Sequence, residues 1–404
     1  MNNLVIFTDL HMWSMAANKG GRAFITTVES YIRDGWALTI VTTGGGVPDS
    51  VRAKAIILEQ KFPHVDKLNS SKIRLIRVIG KYISQYVRNR FYYKSGTSIL
   101  SNSRDNVVLY AYEVAGVKAA KALSQKYGLP LVTRFQGTII ANVKNTFINR
   151  LRYYPHFSAL STRADLIIMT NDGTQGLKAL KNLGNTSKVD FWMNGVTIPQ
   201  LPSCQGVARL RSNLGFDGKF VFLTVSRLVA WKKVERAISA FASVYKDIPG
   251  AFLHIIGDGT SRPFLEDYAT NAGVSQRVVF HGAIEQSKVF DYMVASNVFL
   301  SLYDLSNVGN PLLEAMSCGK PIITLDNGDT SMFIKNMENG VILKMDEIDK
   351  VSEWMYRLYS DRNLAESIGA SARKYSENNF WSWEDRMKHE IQDVKLLLNA
   401  HDRI

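Results

Sequence analysis

A chain of 404 residues exceeds one ordinary core, so two domains of roughly 150–200 residues are expected. Its 46% hydrophobic and 21% charged residues are those of a globular protein, and no run of about 18 apolar residues is present to span a bilayer. The formal net charge of +13 is lopsided: residues 1–200 hold 26 Lys and Arg against 11 Asp and Glu, residues 201–404 hold 23 against 25, so the first half is built to meet something anionic.

The opening residues MNNLVIFTDLH lack a basic leader region and a cleavage site and read as a first strand. Buried strands are expected at residues 4–7, 38–42, 107–110, 131–134 and 166–169, with helical patterns at 24–34 and 114–127 between them. The second half repeats the scheme. Strands are expected at 220–225, 251–256, 278–281, 298–302 and 321–324, with a helix at 234–245. Strands alternating with helices imply parallel sheets covered on both faces, and two such series imply two doubly wound domains with a cleft between them. The seam is placed at the polar stretch PQLPS, giving domains 1–198 and 199–383. A last helix over about 384–404 starts after Trp381, Ser382 and Trp383 and packs either on its own domain or back on the first. Cys204 and Cys318 have no metal-binding spacing and point to a reducing compartment.

Three loops of the second half carry residues suited to chemistry. In FVFLTVSRLVAWKK (220–233), a buried strand is followed by Arg227 and Lys232, where cations oppose the dipole of the next helix. Two cations at the carboxyl end of a parallel strand suit a diphosphate; the alternative is a solvated basic turn. The run IIGDG (255–259) puts Gly257 at another strand end, a weaker sign, since any tight turn can use glycine. The third is SNVGNPLLEAMSCGKPIIT (306–324), where Pro311 marks a helix start and the amides of Asn307, Val308, Gly309 and Asn310 precede it. Glu314 lies one turn in, on the side that reads as buried, and needs a partner there. A carboxylate cannot hold phosphate but suits a ribose diol, so Glu314 and the Arg227/Lys232 pair look like two ends of one nucleotide.

In this order, RLVAWK (227–232), IIGDG (255–259), VVFHGAI (278–284) and NPLLEAMSCGKPII (310–323) resemble the donor domain of family-4-type retaining glycosyltransferases with the GT-B fold. The first half adds NKGG (18–21), FQGT (135–138) and NGV (194–196), so the resemblance spans nearly the whole chain. It implies an α/β architecture of two Rossmann-like domains facing across a cleft, and transfer of a sugar from a nucleoside-diphosphate sugar with retained configuration. In that family's terms Arg227 and Lys232 neutralise the diphosphate, Glu314 holds the ribose, and backbone near Ile284 touches the base. The loop Asn307, Val308, Gly309, Asn310 and Pro311 cups sugar and phosphate, and Gly20 and Gly21 approach the phosphate from the other domain. Two positions depart from the pattern. The family has a second glutamate eight residues before the first, where Ser306 stands here, so either Ser306 or the nearby Asp304 takes that role or the enzyme reads its sugar differently. A histidine often stands where Gln136 is, on the acceptor side.

No D-x-D metal clamp is present, and two fixed cations do the same work on a leaving diphosphate, so no metal or other cofactor is expected. The implied partners are the nucleotide-sugar and a glycan, oligosaccharide or lipid-linked acceptor of the cell envelope. The stretch from Lys72 to Lys94 holds seven cations and no acid among Ile, Val, Tyr and Phe, and the one from Asn142 to Tyr154 is similar. Such stretches suit an anionic membrane surface, with Leu75, Ile79, Ile83 and Val87 at helical spacing. The alternatives are a core helix with a solvated basic face, or nucleic acid, for which no recognisable module exists. The expected place of work is the cytoplasm, peripheral on the inner face of the cell membrane. The rival function is a non-catalytic binding or scaffolding protein that keeps the GT-B fold.

Overall fold

A computed structural model describes residues 1–13, 21–69, 71–102 and 104–401. The chain divides into unit 1, Met1–Asn171, Gln175–Asn194 and Trp383–Ile404, and unit 2, Asp172–Thr174 and Gly195–Ser382. The division at Asn194/Gly195 falls a few residues before the expected polar seam.

Unit 1 is built on seven strands: β1 (Asn3–Thr8), β2 (Ala37–Thr42), β3 (Ala55–Glu59), β4 (Val107–Tyr112), β5 (Leu131–Phe135), β6 (Leu166–Thr170) and β7 (Lys188–Trp192). They form one parallel sheet in the order β3-β2-β1-β4-β5-β6-β7. Every residue of β4 is buried, as expected for a central parallel strand covered on both faces. Alternate residues divide between two cores. Val5, Phe7, Leu109 and Ala111 pack on one face with Tyr92 and Leu100 of the long helix Arg74–Asn102. Leu4, Ile6, Val108 and Tyr110 pack on the other, beneath Phe24, Val28 and Tyr31 of the helix Arg22–Arg33. The last helix, Trp383–His401, covers that second face with Met387, Ile391, Val394 and Leu398.

A fully buried ion triad ties that helix down. The Glu390 carboxylate accepts from Arg134 Nη1 at 2.9 Å, from Arg386 Nη1 at 2.6 Å and from the Tyr110 hydroxyl at 2.7 Å. Burial would raise the Glu390 pKa, but the charges of Arg134 and Arg386 and the Tyr110 hydrogen bond outweigh it and hold it low.

Unit 2 carries six strands: β8 (Phe220–Val225), β9 (Ala251–Ile256), β10 (Val278–Gly282), β11 (Val298–Ser301), β12 (Ile322–Leu325) and β13 (Val341–Leu343). Their order is β10-β9-β8-β11-β12-β13, again parallel. One core joins Phe222, Leu253, Leu300 and Ile323 of the sheet to Ile238 and Phe241 of the helix Glu235–Val244. In each sheet the strand order reverses once, between β1 and β4 in unit 1 and between β8 and β11 in unit 2. Open α/β sheets bind ligands at such a reversal, outside the carboxyl ends of the strands.

Glu390→Gln leaves two buried guanidinium groups without their counter-charge. Removing one partner of a buried ion pair costs about 3–5 kcal/mol. Urea unfolding of this variant is expected to show a loss of that size, and an unchanged midpoint would show that the triad is energetically idle.

Candidate functional site

The site residues of unit 2 follow the carboxyl ends of four strands. Strand β8 is apolar and buried throughout its last five residues, then opens into Ser226 and the exposed Arg227. A short turn, Ala230–Lys232, folds Lys232 back under the sheet edge, where only 8% of it is exposed. Its ammonium donates to the carbonyls of Ser306 at 3.1 Å and Leu305 at 3.4 Å. It also lies 4.2 Å from the ring centre of Tyr303 and 4.6 Å from that of Trp231. The Arg227 guanidinium stacks on the same indole at 5.5 Å. Trp231, quoted in the motif but given no role by sequence, therefore holds both cations in place. Burial drags the Lys232 pKa down to about 7, with the Asp172 charge resisting and Arg227 assisting.

Asp172 is the residue sequence reasoning missed. It arrives from a distant part of the chain and hands its carbonyl to the Val308 amide at 3.1 Å. Its carboxylate accepts from the Thr174 hydroxyl at 2.5 Å and is hydrogen-bonded by the Ser306 side chain. Ser306 itself sits at φ +58, a left-handed conformation uncommon for serine. Of the two candidates for the missing glutamate, Ser306 stands beside Lys232, whereas Asp304 turns to Arg236 at 2.7 Å and Lys233 at 4.0 Å. No sequence signal links Asp172 to this loop, because the pairing exists only in three dimensions.

The loop that follows is held internally. Asn307 is 1% exposed; its side-chain oxygen accepts from the Tyr303 amide at 3.0 Å, and the Val308 amide is engaged by Asp172. Gly309 then caps the helix Asn310–Ser317, with Pro311 in its first turn. Glu314 on that helix is buried, as its sequence pattern implies, and its Oε1 accepts from Gln286 Nε2 at 2.6 Å. Gln286 follows Ile284 by two residues and opens the helix Gln286–Ala295 after β10, so the half-buried Ile284 and Glu314 belong to one neighbourhood. Gly257 sits at φ +128, where a Cβ would lie 1.8 Å from the Ser226 carbonyl oxygen. Only glycine lets the β8 and β9 exits approach this closely.

The remaining candidates lie in unit 1. Gly21 caps the helix Arg22–Arg33, and its amide donates to the His11 carbonyl at 2.9 Å; Gly20 lies outside the described residues. Gln136 follows β5, donates to the Tyr112 hydroxyl and accepts from Asn194 at 3.2 Å.

Replacing Asp172 with Asn removes the anion that favours charged Lys232, so the Lys232 titration is expected to move below about 7. Carbon-13 NMR of the lysine side chains reads this directly, and an unmoved midpoint would show that Asp172 exerts no field there.

Residues 208–375 match the family described as glycosyl transferases group 1. The chain is 31% identical over 182 residues to a Corynebacterium glutamicum protein named as a GDP-mannose-dependent monoacylated alpha-(1-6)-phosphatidylinositol monomannoside mannosyltransferase, covering 43% of this chain and 47% of that one. It is 23% identical over 268 residues to an uncharacterised glycosyltransferase of Methanocaldococcus jannaschii, covering 65% and 67%. The alignments with the mannosyltransferase relatives span about half of those proteins' length. The crystal structure of Anabaena HepE in complex with UDP superposes with a TM-score of 0.73 at 17% identity, over 98% of this chain and 99% of that one. With its two Rossmann-like sheets this chain has the GT-B fold, and within it residues 208–375 match the group 1 glycosyl transferases.

Proposed function

We propose that the protein transfers a sugar from a nucleoside-diphosphate sugar to a glycan or lipid-linked acceptor of the cell envelope, with retention of anomeric configuration. The observation that carries this reading is Lys232: a buried lysine held near neutrality, beside Arg227, at the strand reversal of unit 2. Binding a diphosphate there would add to the counter-charge that Asp172 supplies. As the sugar–phosphate bond breaks, negative charge grows on the leaving diphosphate, and the two cations stabilise it in place, with no metal required. Glu314, steadied by Gln286, accepts from the ribose hydroxyls, and backbone at Ile284 lies against the base. Ser306 and Asp172 form the polar side of the sugar site. The relatives' names support the class of donor, since they include GDP-mannose-dependent enzymes, and the Anabaena structure holds UDP.

The acceptor side is supported by the surface of unit 1. The first half of the long helix exposes Ile76, Val78, Ile79 and Ile83 among its cations, while its second half buries Tyr92 and Leu100. Phe147, Ile148 and Leu151 are exposed beside Arg150 and Arg152. Packing in the core accounts for the second half of the helix alone. The exposed first half fits an anionic membrane, and we place the protein on the inner face of the cell membrane.

Arg227→Ala and Lys232→Ala are each expected to lower turnover of the nucleotide-sugar by about 10²–10³, the worth of one electrostatic donor, with the fold intact. Hydrolysis assays across UDP- and GDP-sugars check this. Wild-type rates in both variants would refute the donor site, and no turnover of any donor would favour the scaffolding reading.

Arg88 is engaged by Asp66 at 2.6 Å, so the membrane test uses the exposed Lys72, Arg77 and Arg90. Changing all three to Ser should weaken co-sedimentation with anionic vesicles by roughly 10²-fold, at about 1 kcal/mol per cation near the surface. Equal partitioning into neutral vesicles would rule the surface out.

A further inference from the structure

Unit 1 has its own cavity at the reversal of its sheet. It measures about 300 Å³ and is lined by Asp9, just after β1, and Val114, just after β4, the two strands between which the order reverses. The opposite wall comes from the long helix, and Gln85 of that helix donates to the Ala115 carbonyl at 2.8 Å.

The lining is cationic. Lys81, Arg88 and Arg152 border it as cations, and His156 borders it as well. Asp66 engages Arg88, but among the described residues no carboxylate pairs with Lys81 or Arg152. Burial lowers the His156 pKa, and the nearby charge of Lys81 lowers it further. The acceptors present are of another kind. Asp9 adds a carboxylate, and the buried side-chain oxygen of Asn69 has no hydrogen-bond partner. Cations without carboxylate partners suit a phosphate, and the unpartnered Asn69 oxygen suits a hydroxyl group.

The rim is apolar. Ile139, which borders the cavity, is 47% exposed, and the exposed Ile83 and Leu151 immediately precede the lining residues Ser84 and Arg152 in sequence. Those segments are fastened together: Tyr82 stacks on Tyr154 at 4.8 Å and its hydroxyl donates to the Leu151 carbonyl at 2.7 Å.

We infer that this cavity takes the phosphate of a hydroxyl-bearing lipid head group, with its acyl chains along the exposed Ile83 and Leu151 side. Lys81 and Arg152 hold the phosphate, and Asn69 and Asp9 accept from the head-group hydroxyls. The assignment rests on the lipid-linked acceptor reading above and names its chemistry.

The test uses dihexanoylphosphatidylglycerol as a soluble monomer, titrated calorimetrically into the full chain. The probes beside it are dihexanoylphosphatidylcholine, glycerol phosphate, UDP and GDP. Wild type should bind the phosphatidylglycerol at least tenfold more tightly than either the phosphatidylcholine or glycerol phosphate. Lys81→Ser with Arg152→Ser, both exposed positions, should remove at least tenfold of that affinity and leave nucleotide binding unchanged. Lys72→Ser with Arg77→Ser should keep it. An unaffected Lys81/Arg152 variant overturns the site. An equal loss in the Lys72/Arg77 variant overturns it in favour of a diffuse surface field. Equal affinity for glycerol phosphate overturns the lipid assignment in favour of a soluble phosphate. Failure of UDP and GDP to bind, with the lipid result intact, would strike the donor reading and leave this cavity standing.

Discussion

The structure depends most on one carboxylate, Glu390. It is the only acid among three fully buried charged side chains, and it brings the end of the chain back into unit 1. Withdrawing three charges from water costs several kcal/mol per ion, so the triad is not a source of stability in itself. Arg134 Nε and Nη2 and Arg386 Nη2 have no hydrogen-bond partner, which adds to that cost. Aromatic rings offset part of it: Arg134 lies 5.1 Å from Tyr112 and Arg386 5.0 Å from Trp192. What the arrangement fixes is register. Slippage of the last helix by one turn would carry Glu390, together with Arg386 on the same helix, to the level of Met387 or Val394 and leave Arg134 of β5 without its counter-charge. Unit 2 is thereby an insertion held at both ends by unit 1 segments.

The two units then solve the same topological problem with different side chains. In each, a parallel sheet reverses its strand order once, the position where open α/β sheets bind ligands. Unit 2 fills the opening with a lysine pinned between Trp231 and Tyr303. Unit 1 leaves a cavity and lines it with cations from the long helix. The positive charge of the first half is thus not spread evenly. Part lies among exposed apolar residues, part lines a cavity, and part, at Arg134, is buried against Glu390.

Legibility followed burial. Strands β8 and β9 match the sequence expectation residue for residue, because uninterrupted apolar runs bounded by polar turns have one reading. The strands that went unread are β3, β7 and β13, all at sheet edges. There charged residues intrude, Lys188 into β7 and Glu59 at the end of β3, which dilutes the apolar signal, while β13 is only three residues long. The candidate site shows the same division. Arg227, Lys232 and Glu314 are legible because a charge beside an apolar run is conspicuous. Asp172 is not, because it looks like any polar residue of a loop until the fold sets it against Ser306.

That pairing bears on how the proposed chemistry copes without the glutamate that the resemblance implies at position 306. A glutamate there would add a second carboxylate next to Asp172, and two carboxylates sharing a buried site cannot both ionise without cost. Serine avoids the conflict: its hydroxyl donates to the Asp172 carboxylate while its carbonyl accepts from Lys232. Burial raises the Asp172 pKa, and hydrogen bonds from Thr174 and Ser306 with the Lys232 charge bring it part of the way back. Asp172 and Lys232 therefore support each other's charged forms across the Ser306 backbone. In the proposed reaction a bound diphosphate would favour the charged form of Lys232 further. The carboxylate beside this loop is thus Asp172, from a separate segment, and position 306 contributes a hydroxyl bonded to it.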